Sequence, residues 1–262
     1  MGITEILILI IAGLMVGFIN TLAGGGSVIS LSVLIMLGLP APVANGTNRI
    51  AIFLQTLAAT GSFRQQKVLD WRKGLALGIP SVLGSLLGAQ IAVDINEVVF
   101  ERAMAVILIM MMVIILLRPK RWLSGVQELT EKKVSFWQIL LFFFIGLYGG
   151  FIHVGVGYFL LAGIVMGAGY DLVRANAIKV MVVLLYIPFA LLVFILNDQV
   201  LYSYGLVMAI GNVSGALIAS RLAVSKGVVF VQWVMVVVIL LTSAHLFGIF
   251  DIPGFISTLI TR

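Results

Sequence analysis

The sequence predicts an all-α fold, a polytopic bundle of transmembrane helices built as two inverted repeats with broken or re-entrant helices. Three observations lead there. The 262 residues are 62% hydrophobic and 10% charged, with a mean hydropathy of +1.22, against about 45–50% apolar and about 25% charged in soluble domains. No water-soluble core can bury that much apolar surface. The apolar residues come in long unbroken runs rather than in period-2 alternation, which selects helices as the spanning elements. Finally, the second half of the chain echoes the first.

In chain order, the clear spans are Ile6–Leu22, Ile50–Ser62, Leu75–Val93, Ala103–Leu117, Phe136–Ile152, Val180–Leu196, Tyr204–Leu217 and Val228–Phe247. Two runs, Val28–Leu37 and Phe159–Met166, are too short to cross a hydrocarbon core of about 30 Å. They read as half-helices, tilted packed helices or re-entrant arms. The opening MGITEI has no basic n-region, which argues against a cleavable signal peptide.

The repeat shows in an ordered series of matches. GLMVGFIN (Gly13–Asn20) resembles GLYGGFIH (Gly146–His153), and GGGSV then meets GVGYF. From there the offset holds near 131: Gly24 falls on Gly155, Gly26 on Gly157, Gly38 on Gly169, and Ala44–Asn45 on Ala175–Asn176. GSLLGAQIAV at 84–93 falls on GALIASRLAV at 215–224. Two transmembrane repeats follow, 1–120 and 134–262, joined by a polar cytoplasmic linker at 121–133.

Loop charges set their orientation. Arg64, Lys67, Arg72 and Lys73 form one basic loop, and Arg118, Lys120, Arg121, Lys132 and Lys133 another. Both belong on the cytoplasmic side. Asp94, Glu97 and Glu101 between them, with Arg102 the sole base, suit the outside. In the second half the signs exchange: NDQVLYS has only Asp198 charged, whereas Arg221 and Lys226 occupy the counterpart of the acidic loop. Homologous loops on opposite sides mean inverted repeats with an odd number of crossings each. Trp71, Trp122 and Trp137 flank the basic loops as interfacial anchors.

The glycines carry the functional argument. Gly24–Gly25–Gly26 and Gly155–Val156–Gly157 interrupt hydrophobic segments at matching places, the pattern expected of a secondary transporter. Amide N–H groups exposed at a helix break cost several kcal/mol in hydrocarbon unless partnered, and a substrate anion is a suitable partner for a helix N-terminus. Ser27 adds a hydroxyl at an N-cap position. Asn20 and His153 stand at equivalent positions just before the breaks. By contrast Gly84, Gly88, Gly211 and Gly215, spaced as GxxxG, read as close-packing residues.

Intramembrane ionisable groups are costly and mark function by default. Arg49 and Lys179 each follow an Ala-Asn turn at the start of the third element of their half, and read as substrate-attracting or gating cations, with snorkelling to headgroups as the alternative. Asp171 and Arg174 read as an ordinary ion pair. Gln55, Tyr186 and Asn212 are isolated polar groups that either line a pathway or bridge helices. His153 reads either as a group that carries a proton near neutral pH or as a buried histidine hydrogen-bonded to a neighbouring helix.

These residues give the chain a resemblance to the TauE/SafE sulfite exporter family, also called the toluenesulfonate uptake permease family. It rests on GLMVGFINTLAGGGSVISLSVLIMLGLPAPVANGTN and GLYGGFIHVGVGYFLLAGIVMGAGYDLVRANAIKV, and extends over essentially the whole chain. The resemblance implies a bacterial inner-membrane carrier of small anions, commonly sulfite, sulfoacetate or related sulfonates. Carried over, the family's Gly-rich break is Gly24–Ser27, with Gly155–Tyr158 as the second copy. The turn and helix start are Asn45, Thr47, Asn48 and Asn176–Lys179. Val156 and Tyr158 replace the glycine and serine of the first copy, so the half-sites differ.

The expected function is therefore a multi-pass alternating-access transporter of small sulfur-containing oxyanions. Its substrate would meet Asn20, Gly24, Gly25, Gly26, Ser27, Asn45, Thr47, Asn48, Arg49, His153, Gly155, Gly157, Tyr158, Asn176 and Lys179. An anion channel, or a carrier of a non-sulfur organic anion, is the alternative. An enzyme is not expected, because the few acids sit toward loops. No cofactor or metal is expected: cysteine is absent and two histidines lie far apart. The basic balance of +6 reflects the loops, not nucleic acid. Proton or ion coupling and a homodimer both stay open.

Overall fold

A computed structural model describes residues 1–96, 98–99, 102, 130 and 134–246. The expected span 103–117, Glu97, Glu101, Trp122 and all of the linker but Thr130 lie outside the described residues. Within them every regular element is helical: α1 (Ile3–Leu22), α2 (Ser27–Met36), α3 (Ala41–Gln65), α4 (Trp71–Asp94), α5 (Phe136–Phe151), α6 (Val156–Ala162), α7 (Leu172–Leu196) and α8 (Tyr202–Leu246). A wider π-helical turn, Gly163–Gly167, extends α6. Gly227, at φ 74° and ψ −168°, breaks α8, so the last two expected spans are arms of one element.

Four of these helices are long and apolar enough to cross a bilayer. Their outward faces carry large apolar side chains, as Ile79, Leu83 and Leu87 do on α4, spaced to form one lipid-facing stripe. The polar side chains face inward. Ser81 donates to the Phe142 carbonyl at 3.0 Å, and Ser220 to Ser62 Oγ at 2.7 Å.

Glycines decide how the helices pair. Gly211 sits against Ile10 and Leu14, and Gly215 against Leu14 and Phe18, so α1 runs parallel to the first arm of α8. Gly84 and Gly88 sit in the same way against Phe143, Leu147 and Phe151, so α4 runs parallel to α5. A Cβ at any of the four would lie 1.9–2.1 Å from a facing carbonyl oxygen. Close packing is their role.

The short runs turn back. Gly26 lies beside Val16 and Asn20, so α2 climbs along α1 toward Leu39 and Leu201, the end from which α1 started. On the other hairpin, Gln138 Nε2 donates to the Gly167 carbonyl at 2.7 Å, which brings the π turn back to the start of α5. At about 1.5 Å per residue, the 10 residues of α2 rise about 15 Å, half a hydrocarbon core. The α1–α2 hairpin enters from the Leu201 end of the bundle and the α5–α6 hairpin from the Trp71 end.

The backbone repeats at the offset read from the sequence. Apart from Gly227, the described positive-φ residues occur in pairs 131 apart: Gly24 and Gly155 (φ 93° and 66°), Gly38 and Gly169 (90° and 77°), Lys67 and Asp198 (59° and 57°). Both bounds of α3 map onto those of α7 by the same shift, and each helix has 25 residues. The bends are thus features of a repeated unit.

Three sequence expectations need correction. The third element does not begin at Ile50 or Val180. With Pro40 at the cap and Pro42 pre-set for the first turn, α3 starts at Ala41, and the Asp171 carboxylate caps α7 by accepting from Val173 and Arg174. Asn45, Thr47, Asn48, Arg49, Asn176 and Lys179 therefore lie inside helices, not in turns. Ser27 is the first residue of α2 and Gly26 its cap, with no side-chain cap bond.

Candidate functional site

The two breaks meet. A Cβ on Gly24 would lie 2.4 Å from the Cα of Gly157, and one on Gly157 would lie 2.3 Å from the Cα of Gly24. Only two glycines allow backbones to approach so closely. Tyr158 follows directly and lays its ring against Gly25, where a Cβ would come 2.3 Å from its hydroxyl. The tip of one hairpin thus fills a notch in the other. Tyr148 closes the second break by donating to the Val154 carbonyl.

Beside this contact lies a cavity of about 20 Å³, lined by Asn20, Gly24, Ile52, Gln55, Thr56, His153, Gly157, Lys179, Val180 and Val183. It sits near the middle of both α3 and α7. It holds about one water-sized group. Five of the expected site residues line it: Asn20, Gly24, His153, Gly157 and Lys179. Ile52 and Val183, again 131 apart, supply apolar walls.

The two buried cations stand in different places. Lys179, 2% exposed, donates to the carbonyls of Asn20 and Thr21 at 2.8 and 3.0 Å and to Asn176 Oδ1 at 2.5 Å. All three of its donors are engaged. Arg49 is fully buried and does not line the cavity. Its guanidinium donates to Gly149 and Gly150 at 3.0 and 2.6 Å, and lies 4.5 Å over the Phe194 ring. Neither side chain snorkels. Each binds the C-terminal carbonyls of the other half's first helix, where the helix dipole is negative.

The asparagines repeat that crosswise arrangement. Asn176 Nδ2 donates to Leu22 at 3.0 Å, and Asn45 Nδ2 to Phe151 at 2.9 Å. Thr47 accepts from the Leu201 amide at 2.9 Å, while the buried Asn48 amide has no partner among the described residues. Ser27 Oγ accepts from Asn20 Nδ2 at 3.2 Å. Gly155 supplies the left-handed residue before α6. Asn45, Thr47, Asn48, Arg49, Asn176, Gly25, Gly26, Ser27, Gly155 and Tyr158 thus surround or brace the cavity without lining it.

His153 Nδ1 lies 3.0 Å from the Tyr186 hydroxyl, and its Nε2 makes no hydrogen bond among the described residues. Among the described residues no acidic side chain is buried, and Lys179 is the one lysine or arginine lining the cavity. No group of three or more His, Cys, Asp or Glu able to hold a metal occurs among the described residues. Sequence reading missed Ile52, Thr56, Val180 and Val183. They are ordinary span residues, and only the crossing of α3 over α7 selects them.

The profile of the family Sulfite exporter TauE/SafE matches residues 9–246. The chain is 28% identical to a "Probable membrane transporter protein" of Haemophilus influenzae, over 94% of this chain and 95% of that one. It is 27% identical to "Probable membrane transporter protein ORF9" of Sinorhizobium sp, over 88% and 87%. It is also 27% identical to "Probable membrane transporter protein YfcA" of Escherichia coli K12, over 91% and 88%. No solved structure matches it. With a match spanning both helix breaks and all eight described helices, this chain belongs to the Sulfite exporter TauE/SafE family.

Proposed function

We propose that this chain is a secondary transporter of small sulfur-containing oxyanions, working by alternating access in a bacterial inner membrane. The observation that carries the reading is the buried contact of two broken-helix tips beside a small cavity lined by Lys179 and by no acidic side chain. An oxyanion there would find the backbone of Gly24 and Gly157, the side chains of Asn20 and His153, and the field of Lys179 and Arg49. A cation would find no carboxylate. The family match and the relatives' names support transport, and the sulfur-containing class comes from the family description.

Two inverted repeats, 1–120 and 134–262, give the reading its mechanics. The hairpins enter from opposite ends, so rocking of one half against the other would expose the shared cavity first to one side and then to the other. The volume of about 20 Å³ is too small for a trioxo anion until the tips part. Arg64, Lys67, Arg72, Lys73, Arg221 and Lys226 gather at the Trp71 end, which supports a cytoplasmic position for that end. The gradient that drives transport would couple through His153 if protons are used.

A thermal-shift panel on detergent-purified protein tests the substrate class. Sulfite, thiosulfate or sulfoacetate should raise the melting temperature, whereas sulfate and simple carboxylates should not. Stabilisation by carboxylates alone would replace the sulfur reading with an organic-anion carrier.

A further inference from the structure

Two polar side chains line the cavity without entering the site just proposed. Thr56 turns its hydroxyl back onto the carbonyls of Ile52 and Phe53 at 2.8 and 3.0 Å. Gln55 is different. Its Oε1 accepts from Nδ2 of Asn212 at 3.0 Å, and its Nε2 makes no hydrogen bond among the described residues. Gln55 is 2% exposed and Asn212 is fully buried.

Asn212 belongs to α8 and is not among the cavity's lining residues. It is gripped by α1, where a Cβ on Gly17 would lie 2.0 Å from its carbonyl oxygen and one on Gly13 would lie 3.0 Å from its Oδ1. A planar amide carries its acceptor and its donor at opposite ends. With the acceptor pinned toward α8, the donor end of Gln55 is left to the cavity. An oxyanion, which offers only acceptors, suits that donor at the cavity wall, whereas the Oδ1 of Asn212 is buried with no partner among the described residues. Turned over, the Gln55 side chain would present its carbonyl and repel an anion.

Resting on the anion-transport reading, we propose that Gln55 is a substrate-binding residue that donates from Nε2, and that Asn212 is a positioning residue holding it donor-first. His153 has the same design: its Nδ1 is tied outward to Tyr186 and its Nε2 is left free. The specificity of the site for anions thus depends on a residue of α8 that never touches the substrate.

The test is concentration-dependent uptake of sulfite, thiosulfate and sulfoacetate into proteoliposomes by the wild type, Gln55→Met, Asn212→Ala and the double variant. Each single change should raise KM about ten- to a hundredfold, the worth of one hydrogen bond to a charged group, with maximal rate retained. The double should be no worse than Gln55→Met, because both changes remove the same donor. An unchanged KM in Gln55→Met, or a double equal to the product of the singles, overturns the proposal. If Gln55→Met fails to reconstitute, Gln55→Ala is read against the same outcomes. A wild type that moves none of these anions overturns the transport reading and this inference with it. Active wild type beside variants of unchanged KM overturns the inference alone.

Discussion

Lys179 is a buried lysine with three hydrogen bonds and, among the described residues, no carboxylate partner. Removing its charge strands the carbonyls of Asn20 and Thr21 in a nonpolar surround. Lys179→Met should therefore cost about 2–4 kcal/mol of stability and also abolish the thermal shift given by the anion. The second effect separates a site residue from a bracket: a lower melting temperature with an undiminished shift assigns Lys179 to structure alone. The residue types were legible in the sequence, since an apolar run that contains Asn20, His153, Arg49 or Lys179 draws attention at once. Their partners were not. A lysine is equally able to meet a substrate, a headgroup or a carbonyl, and only the placement of α1 against α7 decides.

At the scale of elements, the glycines of the breaks and those of the helix pairs do different work. Gly84 and Gly211 sit where two continuous helices press together. Gly24 and Gly157 sit where two interrupted ones touch end to end. Gly157→Ala must push the tips apart, because the neighbouring atoms are backbone and cannot rotate away. We expect uptake to fall at least about tenfold while the protein still inserts, and a Gly24→Ala variant to match it, measured as initial rate per reconstituted molecule. Retained uptake in both would show that the contact is not part of the pathway. The sequence showed where both helices break, because clustered glycines weaken a helix at the point where they fall inside an apolar run. It matched Gly24 with Gly155, however, and the structure packs Gly24 on Gly157. Repeats align by ancestry of position, whereas contacts follow the symmetry relating the copies.

For the whole molecule the central feature is a unit used twice. Lys67 and Asp198 occupy the same left-handed turn in the two halves, yet one precedes the helix at the Trp71 end and the other the helix at the Leu201 end. The chain has no cysteine, so a single one at either position reports its side of the membrane. Asp198→Cys should react with an impermeant maleimide in intact cells, and Lys67→Cys only after permeabilisation. Labelling of both from outside would contradict inverted repeats. Loop charge motivates this expectation. What it did not reveal is that the second segment of each half turns back, because ten apolar residues suit a tilted helix as well as a hairpin arm.

The site itself is tested most directly by counterflow of labelled sulfite into proteoliposomes preloaded with unlabelled sulfite. A cavity that opens to one side at a time predicts saturable uptake, accelerated by the internal anion and lost in Gly157→Ala. Uptake that never saturates, with unitary currents across a planar bilayer, would mean a continuous pore and contradict the account.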